Sequence, residues 1–342
     1  MAANVVALSD RRGGSRLEPR DQTHPLCGAT TKSGKPCRNP ARPNGFCATH
    51  QPPAPQRPVG LIDAKAFEPL LDFIVRRVTG QYDVDPFGFD RELTERVLAP
   101  AVRPLYRDWF RTEWLGVENV PSEGPGLVVA NHGGTLPIDA LVTKFGLFDR
   151  HPAHRHLRLL AADLAFRIPV VAPLARKMGN TLACQDDALR LLRSGELVGV
   201  WPEGYKGVGK RFRSRYRLQR FGRGGFVELA LRTGAPIIPT AIVGSEEAYP
   251  LLGDAKPLAR LFGLPYFPIT PTFPWLGPLG LVPLPSKWIV EFGDPIPTEQ
   301  YRPDAWQDAM LVFELTDRVR DTIQQMLFRN LTRRGSIYGR NA

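Results

Sequence analysis

The sequence predicts an α/β fold: a mostly parallel central sheet flanked by helices, preceded by an N-terminal helical segment and a small cysteine-histidine module. Three observations carry this. Five short apolar runs read as strands: Leu127 to Ala130, Leu159 to Ala162, Leu197 to Trp201, Ile237 to Val243 and Lys287 to Phe292. Helical patterns near Ile138 to Leu147, Asp186 to Leu192, Gly225 to Arg232 and Ala305 to Leu327 alternate with them, the signature of βα units. A chain of 342 residues with 43% apolar content can bury one large core and still carry appendages.

Taken in order, residues 1–23 read as a disordered basic tail, 24–50 as the cysteine-histidine module and 51–62 as a stiff Pro-rich linker. Residues 63–118 form an amphipathic helical segment, 119–300 the α/β core, 301–330 a C-terminal helix and 331–342 a tail. The opening residues turn basic and polar at once, without the apolar run of a secretory signal, so a cytoplasmic location is expected. In the module, Cys27, Cys37, Cys47 and His50 are spaced C-x9-C-x9-C-x2-H with turn-rich spacers. Thiols crowded in this way suit a metal better than a disulfide framework, and these four ligands suit a closed tetrahedral zinc site. So short a segment has little core, so the ion would supply most of its folding energy; His24 is a rival fourth ligand.

In the helical segment, Phe67, Leu70, Leu71, Ile74 and Val75 recur at helical spacing. Val97, Leu98, Val102, Leu105, Tyr106, Trp109 and Phe110 do so again, on a helix that also carries Arg103, Arg107 and Arg111. Leu261 to Ser286 has the length of a membrane span and no charged side chain, but its seven prolines remove donors and block helical turns. It is expected to pack on the body or to rest in a lipid interface, with Tyr266, Trp275 and Trp288 beside the cationic helix near Trp109.

The stretch Val128-Val-Ala-Asn-His-Gly-Gly-Thr-Leu-Pro-Ile-Asp139 sets a histidine directly after an apolar strand and a carboxylate in the first turn of the following helix. Such a junction is where α/β sheets hold reactive groups. Imidazole titrates near neutrality, and a carboxylate on its second nitrogen fixes the tautomer, which suits a general base for a hydroxyl proton. Trp201-Pro-Glu-Gly-Tyr-Lys-Gly207 follows, opening a run from Lys206 to Arg223 with eight Lys or Arg residues and no acid. That run and the net charge of +11 point to an anionic partner: thioester phosphates, a lipid head group or an acidic bilayer face. Tyr205, Phe212, Tyr216 and Phe221, interleaved with the run, would also suit stacked nucleic-acid bases. No Gly-x-Ser-x-Gly element is present, and the partial phosphate-loop match at Gly204 to Lys210 has Arg211 where a magnesium-binding hydroxyl belongs.

Asn131-His132, Gly179 to Gln185, Pro202-Glu203-Gly204 and Pro236-Ile-Ile-Pro239 resemble, in order and spacing, the blocks of the lysophospholipid acyltransferase superfamily across about residues 64–330. Ile237 to Tyr249, with Gly244-Ser-Glu-Glu, looks most like its monoacylglycerol acyltransferase-like branch. The resemblance implies transfer of a fatty acyl group from acyl-CoA or acyl carrier protein to a lysophospholipid or mono- or diacylglycerol hydroxyl, with no catalytic cofactor. It implies His132 as base and Asp139 as its support, with Glu203, Gly204 and Lys206 lining the acceptor site and Glu203 orienting a hydroxyl or a basic partner; Asn131, Gly133, Lys210 and Arg211 are further candidate substrate contacts. It also implies a peripheral position on the inner face of a membrane.

Three departures qualify the match. Six residues rather than four separate His132 from Asp139, so the loop must bulge by two. Lys206 replaces an arginine fork by a point charge, and Leu182, Ala183 and Gln185 stand where the superfamily has Phe, Ile and Arg, so acyl transfer is more firmly implied than a phosphorylated acceptor. The alternative reading is a catalytically inactive zinc-containing protein that binds nucleic acid or anionic lipid.

Overall fold

A computed structural model describes residues 25–50 and 64–339. The expected tail 1–23, His24 and the linker 51–62 lie outside the described residues. The chain divides into two compact units between Gln81 and Tyr82. The first holds the cysteine-histidine module and the helix Ala64–Val78.

The second unit is built on β1 (Glu113–Leu115), β2 (Gly126–Ala130), β3 (Leu157–Ala161), β4 (Thr181–Leu182), β5 (Leu197–Val200), β6 (Ile237–Val243), a separate small pair β7 (Gly253–Asp254) and β8 (Pro268–Ile269), and β9 (Ile289–Phe292). The main sheet has the order β1-β9-β6-β2-β5-β3-β4, and every pairing in it is parallel except β6 with β9. The five strands expected from the sequence are all there. The two added, β1 and β4, are too short to show a pattern of their own.

The strands β2, β5 and β6 are buried at every position because helices cover both faces. Alternation divides their side chains between two cores. Leu127 and Val129 join the layer that includes Leu191, Val227 and Val319 from the helices Gln185–Arg193, Gly225–Thr233 and Ala309–Arg334. Val128 and Ala130 face Val142 and Phe145 of the helix Ile138–Arg150, together with Tyr106 and Phe110. Each such buried aliphatic contributes about 1.5–3 kcal/mol.

The segment expected as one helix over residues 97–110 is helical from Arg91 to Trp109 but has two widened π-type turns, Thr94–Leu98 and Leu105–Trp109. Pro100 and Pro104 lie beside these turns, and neither has an N–H to give to the ordinary ladder. The widened turn delivers Phe110 onto Trp288, their rings stacked 4.3 Å apart. The C-terminal helix starts where Asp308 accepts from the amides of Met310 and Leu311 and runs to Arg334.

The strands β6, β2 and β5 are adjacent and parallel, so their carboxyl ends share one edge of the sheet. The chain leaves that edge as Gly244-Ser245-Glu246, Asn131-His132 and Trp201-Pro202-Glu203, which places three sequence-distant turns side by side. Among the described residues, no helix is long and apolar enough to cross a membrane.

Candidate active site

His132 follows β2 directly, and Asp139 lies in the first turn of the helix Ile138–Arg150. Their side chains meet, with His132 Nδ1 2.7 Å from Asp139 Oδ2. The carboxylate is fully buried and is held by two amides, Gly133 N–H to Oδ2 (3.0 Å) and Ala140 N–H to Oδ1 (2.8 Å). Three donors converge on one buried carboxylate, which offsets much of its desolvation. With Nδ1–H donating to Asp139, Nε2 becomes the accepting nitrogen of a ring that is 12% exposed.

The two extra loop residues are taken up by an arch. Gly134 adopts φ +83°, and a Cβ there would stand 2.7 Å from the Ser245 carbonyl oxygen, so the arch rests on the turn after β6. The Thr135 hydroxyl donates to Tyr249 O (3.4 Å), and the Tyr266 hydroxyl donates to Thr135 O.

Several residues expected to touch substrate are turned inward. Asn131 is buried and spends its amide on Ile242, donating to its carbonyl (3.0 Å) and accepting from its N–H (2.7 Å), so it links β2 to β6. Glu203, expected to orient a hydroxyl or a basic partner, pairs with the basic Lys210 and accepts from the backbone N–H of His132 (2.8 Å) and of Gln219 (2.7 Å). Lys210 was expected to meet phosphate. It is buried between Glu203 Oε2 (3.3 Å) and Glu246 Oε1 (3.2 Å), because two carboxylates at the ends of neighbouring strands require a counter-charge. Gly133 packs so close to Glu246 that a Cβ would lie 2.4 Å from its Cγ. Gly204, Lys206 and Arg211 are exposed.

Glu246 had no separate role in the sequence reading. Burial pushes its carboxyl up to about 7, against the opposing pull of Lys210 and of the Tyr216 amide. Tyr216, in the left-handed region at φ +61°, donates its hydroxyl to Glu247, which also pairs with Arg334 (2.9 Å) from the C-terminal helix. The acid pair directly after an apolar strand was a signal for Glu246 and Glu247; nothing local marks Arg334. Base stacking along the basic run meets an obstacle, since Tyr216 and Phe221 belong to the core with 3% and 1% of their surface exposed. The arginines at 211, 213, 215, 217, 220 and 223 still face outward.

In the first unit, Cys27, Cys37, Cys47 and His50 bring their ligand atoms within 4.8 Å of one another, a group that could hold a metal ion. Cys37 and Cys47 sulfurs are 3.9 Å apart, and His50 Nδ1 lies 3.5 Å from Cys47 Sγ and 3.8 Å from Cys27 Sγ. Tetrahedral bonds of about 2.3 Å to sulfur and about 2.0–2.1 Å to nitrogen give edges of about 3.8 Å and about 3.5 Å. Burial opposes a thiolate at Cys47, but the amides of Thr49 and His50 outweigh it and lower the thiol to about 6.

The second unit is thus an α/β body with a paired histidine and carboxylate at the carboxyl edge of its sheet, and the first carries a cysteine-histidine group that could hold a metal ion. Residues 111–243 match the family described as Acyltransferase, and residues 24–58 match a Domain of unknown function (DUF5763). The chain is 60% identical over 266 residues to an uncharacterised protein of Mycobacterium tuberculosis (strain ATCC 25618 / H37Rv), covering 78% of this chain and 74% of the relative. It is 25% identical over 229 residues to the cattle (Bos taurus) protein named DGAT1/2-independent enzyme synthesizing storage lipids, covering 67% of this chain and 63% of that one. The crystal structure of the 1-acyl-sn-glycerophosphate acyltransferase PlsC from Thermotoga maritima aligns with TM-score 0.48 and 18% identity, over 80% of this chain and 93% of that one. The chain belongs to the glycerolipid acyltransferase superfamily and is an acyltransferase.

Proposed function

We propose that the protein transfers a fatty acyl group from an acyl thioester, acyl-CoA or acyl carrier protein, to a hydroxyl of a glycerolipid, with His132 as general base. Nε2 takes the hydroxyl proton as the oxygen attacks the thioester carbonyl. The tetrahedral intermediate then collapses with cleavage of the C–S bond, and the proton held by His132 passes to the departing thiolate, giving ester and free thiol. Asp139 orients the ring and stabilises the imidazolium. Glu203, itself held by Lys210, fixes the His132 backbone. The carrying observation is the 2.7 Å His132–Asp139 contact at the carboxyl edge of the sheet, which turns Nε2 into an acceptor.

Lys206 and Arg211, exposed at the start of the basic run, are available to meet phosphate of donor or acceptor. Gln185 and Lys206 in place of arginines favour an uncharged mono- or diacylglycerol acceptor. The protein would work on the inner face of a membrane, drawn there by its net charge of +11. We assign zinc to Cys27, Cys37, Cys47 and His50 as a structural ion, since three thiols and an imidazole converging within 4.8 Å are its preferred donors.

The test is purified protein and its His132→Ala variant, given long-chain acyl-CoA with lysophosphatidate, monoacylglycerol or diacylglycerol in turn, and then the acyl carrier thioester. Thiol release with matching lipid product from wild type alone is expected. Equal turnover by both proteins would remove His132 from the chemistry.

A further inference from the structure

Two exposed apolar patches lie on segments that touch the turns next to His132. The first is the outer face of residues 256–282, where Leu261, Phe262, Trp275 and Leu279 project with 74%, 61%, 71% and 72% of their surface exposed. It is pinned from behind, with Trp109 Nε1–H donating to Pro283 O (3.0 Å), the Tyr249 hydroxyl to Leu281 O (2.6 Å) and the Leu284 amide to Ala248 O (2.8 Å). Trp109, expected in the lipid interface together with this loop, is thus partly spent on holding it, and Trp288, expected there too, is fully buried in the core. The second patch is residues 168–174, where Val170 is 79% exposed and Ile168, Val171 and Leu174 about 40% each.

Both patches reach the site through a tyrosine. Tyr266 rises from the first patch to the arch at Thr135 O. Tyr205, in the short helix opened by the Pro-Glu-Gly turn, meets the backbone of Leu164 just before the second patch. A Cβ on Gly209 would stand 2.9 Å from Tyr205 O and 3.4 Å from the Tyr266 ring, so the two tyrosines flank one turn beside the His132 loop.

Charge selects the occupant. From Ala255 to Val290 the sequence has no acid, and Lys256 and Arg260 are exposed within the first patch. At the second, Arg176 is exposed at one end, and at the other Arg167 is exposed but paired with Asp163 (2.8 Å). Exposed Trp, Phe and Leu ringed by cations match the interface of an anionic bilayer, with rings and aliphatics at the acyl boundary and cations at the phosphates.

We propose that the patches 256–282 and 168–174 dock together on an anionic bilayer and hold the neighbouring His132 loop against it, so that the acceptor enters from the lipid. This rests on the acyltransferase reading above for the acceptor, but not for the docking.

Two variants, Trp275→Ser with Leu279→Ser and Val170→Ser with Val171→Ser, separate these points, with thermal unfolding confirming their folds. Full-length proteins are sedimented with phosphatidylcholine vesicles, with and without phosphatidylglycerol. Wild type should bind the anionic vesicles, and each variant should lose at least about tenfold in partition. Turnover of a vesicle-borne acceptor should fall in step, while turnover of a water-dispersed short-chain acceptor stays at wild-type level. Wild-type partition by both variants, or equal binding to neutral and anionic vesicles, would overturn the proposal. Patch-dependent binding by a wild type that acylates no acceptor would uphold the docking and sink the acyl-transfer reading alone.

Discussion

Replacing Asp139 by asparagine changes one atom in a group whose three hydrogen bonds all come from donors. The amide can place its NH2 at the Oδ2 position, where it opposes the Gly133 N–H and forces His132 to accept at Nδ1. The ring proton then sits on Nε2, which can no longer take one from a hydroxyl. In the other orientation the NH2 opposes the Ala140 N–H, and the imidazolium loses its negative partner. Either way one buried backbone N–H is left without an acceptor, costing about 1–3 kcal/mol. Turnover should fall by about 10² to 10⁴, the span a positioned general base supplies. Thiol release is followed at saturating donor and acceptor, beside thermal unfolding. The donor KM should change little, since Asp139 lies behind the ring. An Asp139→Asn variant that keeps turnover within about threefold of wild type, with His132→Ala inactive, would refute the tautomer argument.

Glu246 gives a pH signature. Its carboxyl rises from 4.5 unfolded to about 7 folded, so the folded state binds the extra proton between those values and stability falls as pH rises from 4.5 to about 7. The gap corresponds to about 3 kcal/mol, and Glu246→Gln should lose that slope; urea unfolding at several pH values checks this, and parallel curves would contradict it. Gly207→Ala puts a Cβ 2.8 Å from both Cβ and the carbonyl oxygen of His132, so it should cost about 1–3 kcal/mol and displace the histidine, lowering kcat; unchanged melting and turnover would show that this turn does not abut the base. Chelation should release about one zinc per chain and collapse the amide spectrum of residues 25–50 while thiol release persists, whereas loss of thiol release with the metal would tie the module to catalysis.

Much of this was legible in the sequence because it is written locally. Apolar runs of strand length and helical periodicity act over a few residues, so the element order could be read directly. The His132 and Asp139 contact was legible for the same reason: one strand-to-helix turn holds both, and it absorbs two extra residues as an arch without parting them. The four ligands of the small module likewise lie within 24 residues of sequence.

What only the tertiary structure decided is the direction of side chains at the ends of adjacent strands. Asn131 turns to Ile242, 111 residues on; Glu203 reaches back 71 residues to the amide of His132; and Lys210 is drawn inward by Glu246, 36 residues on. In the sequence each looked available to substrate. Burial decides otherwise, since a polar group at a covered strand end must find partners there, and those partners belong to whichever strand the sheet order places next to it.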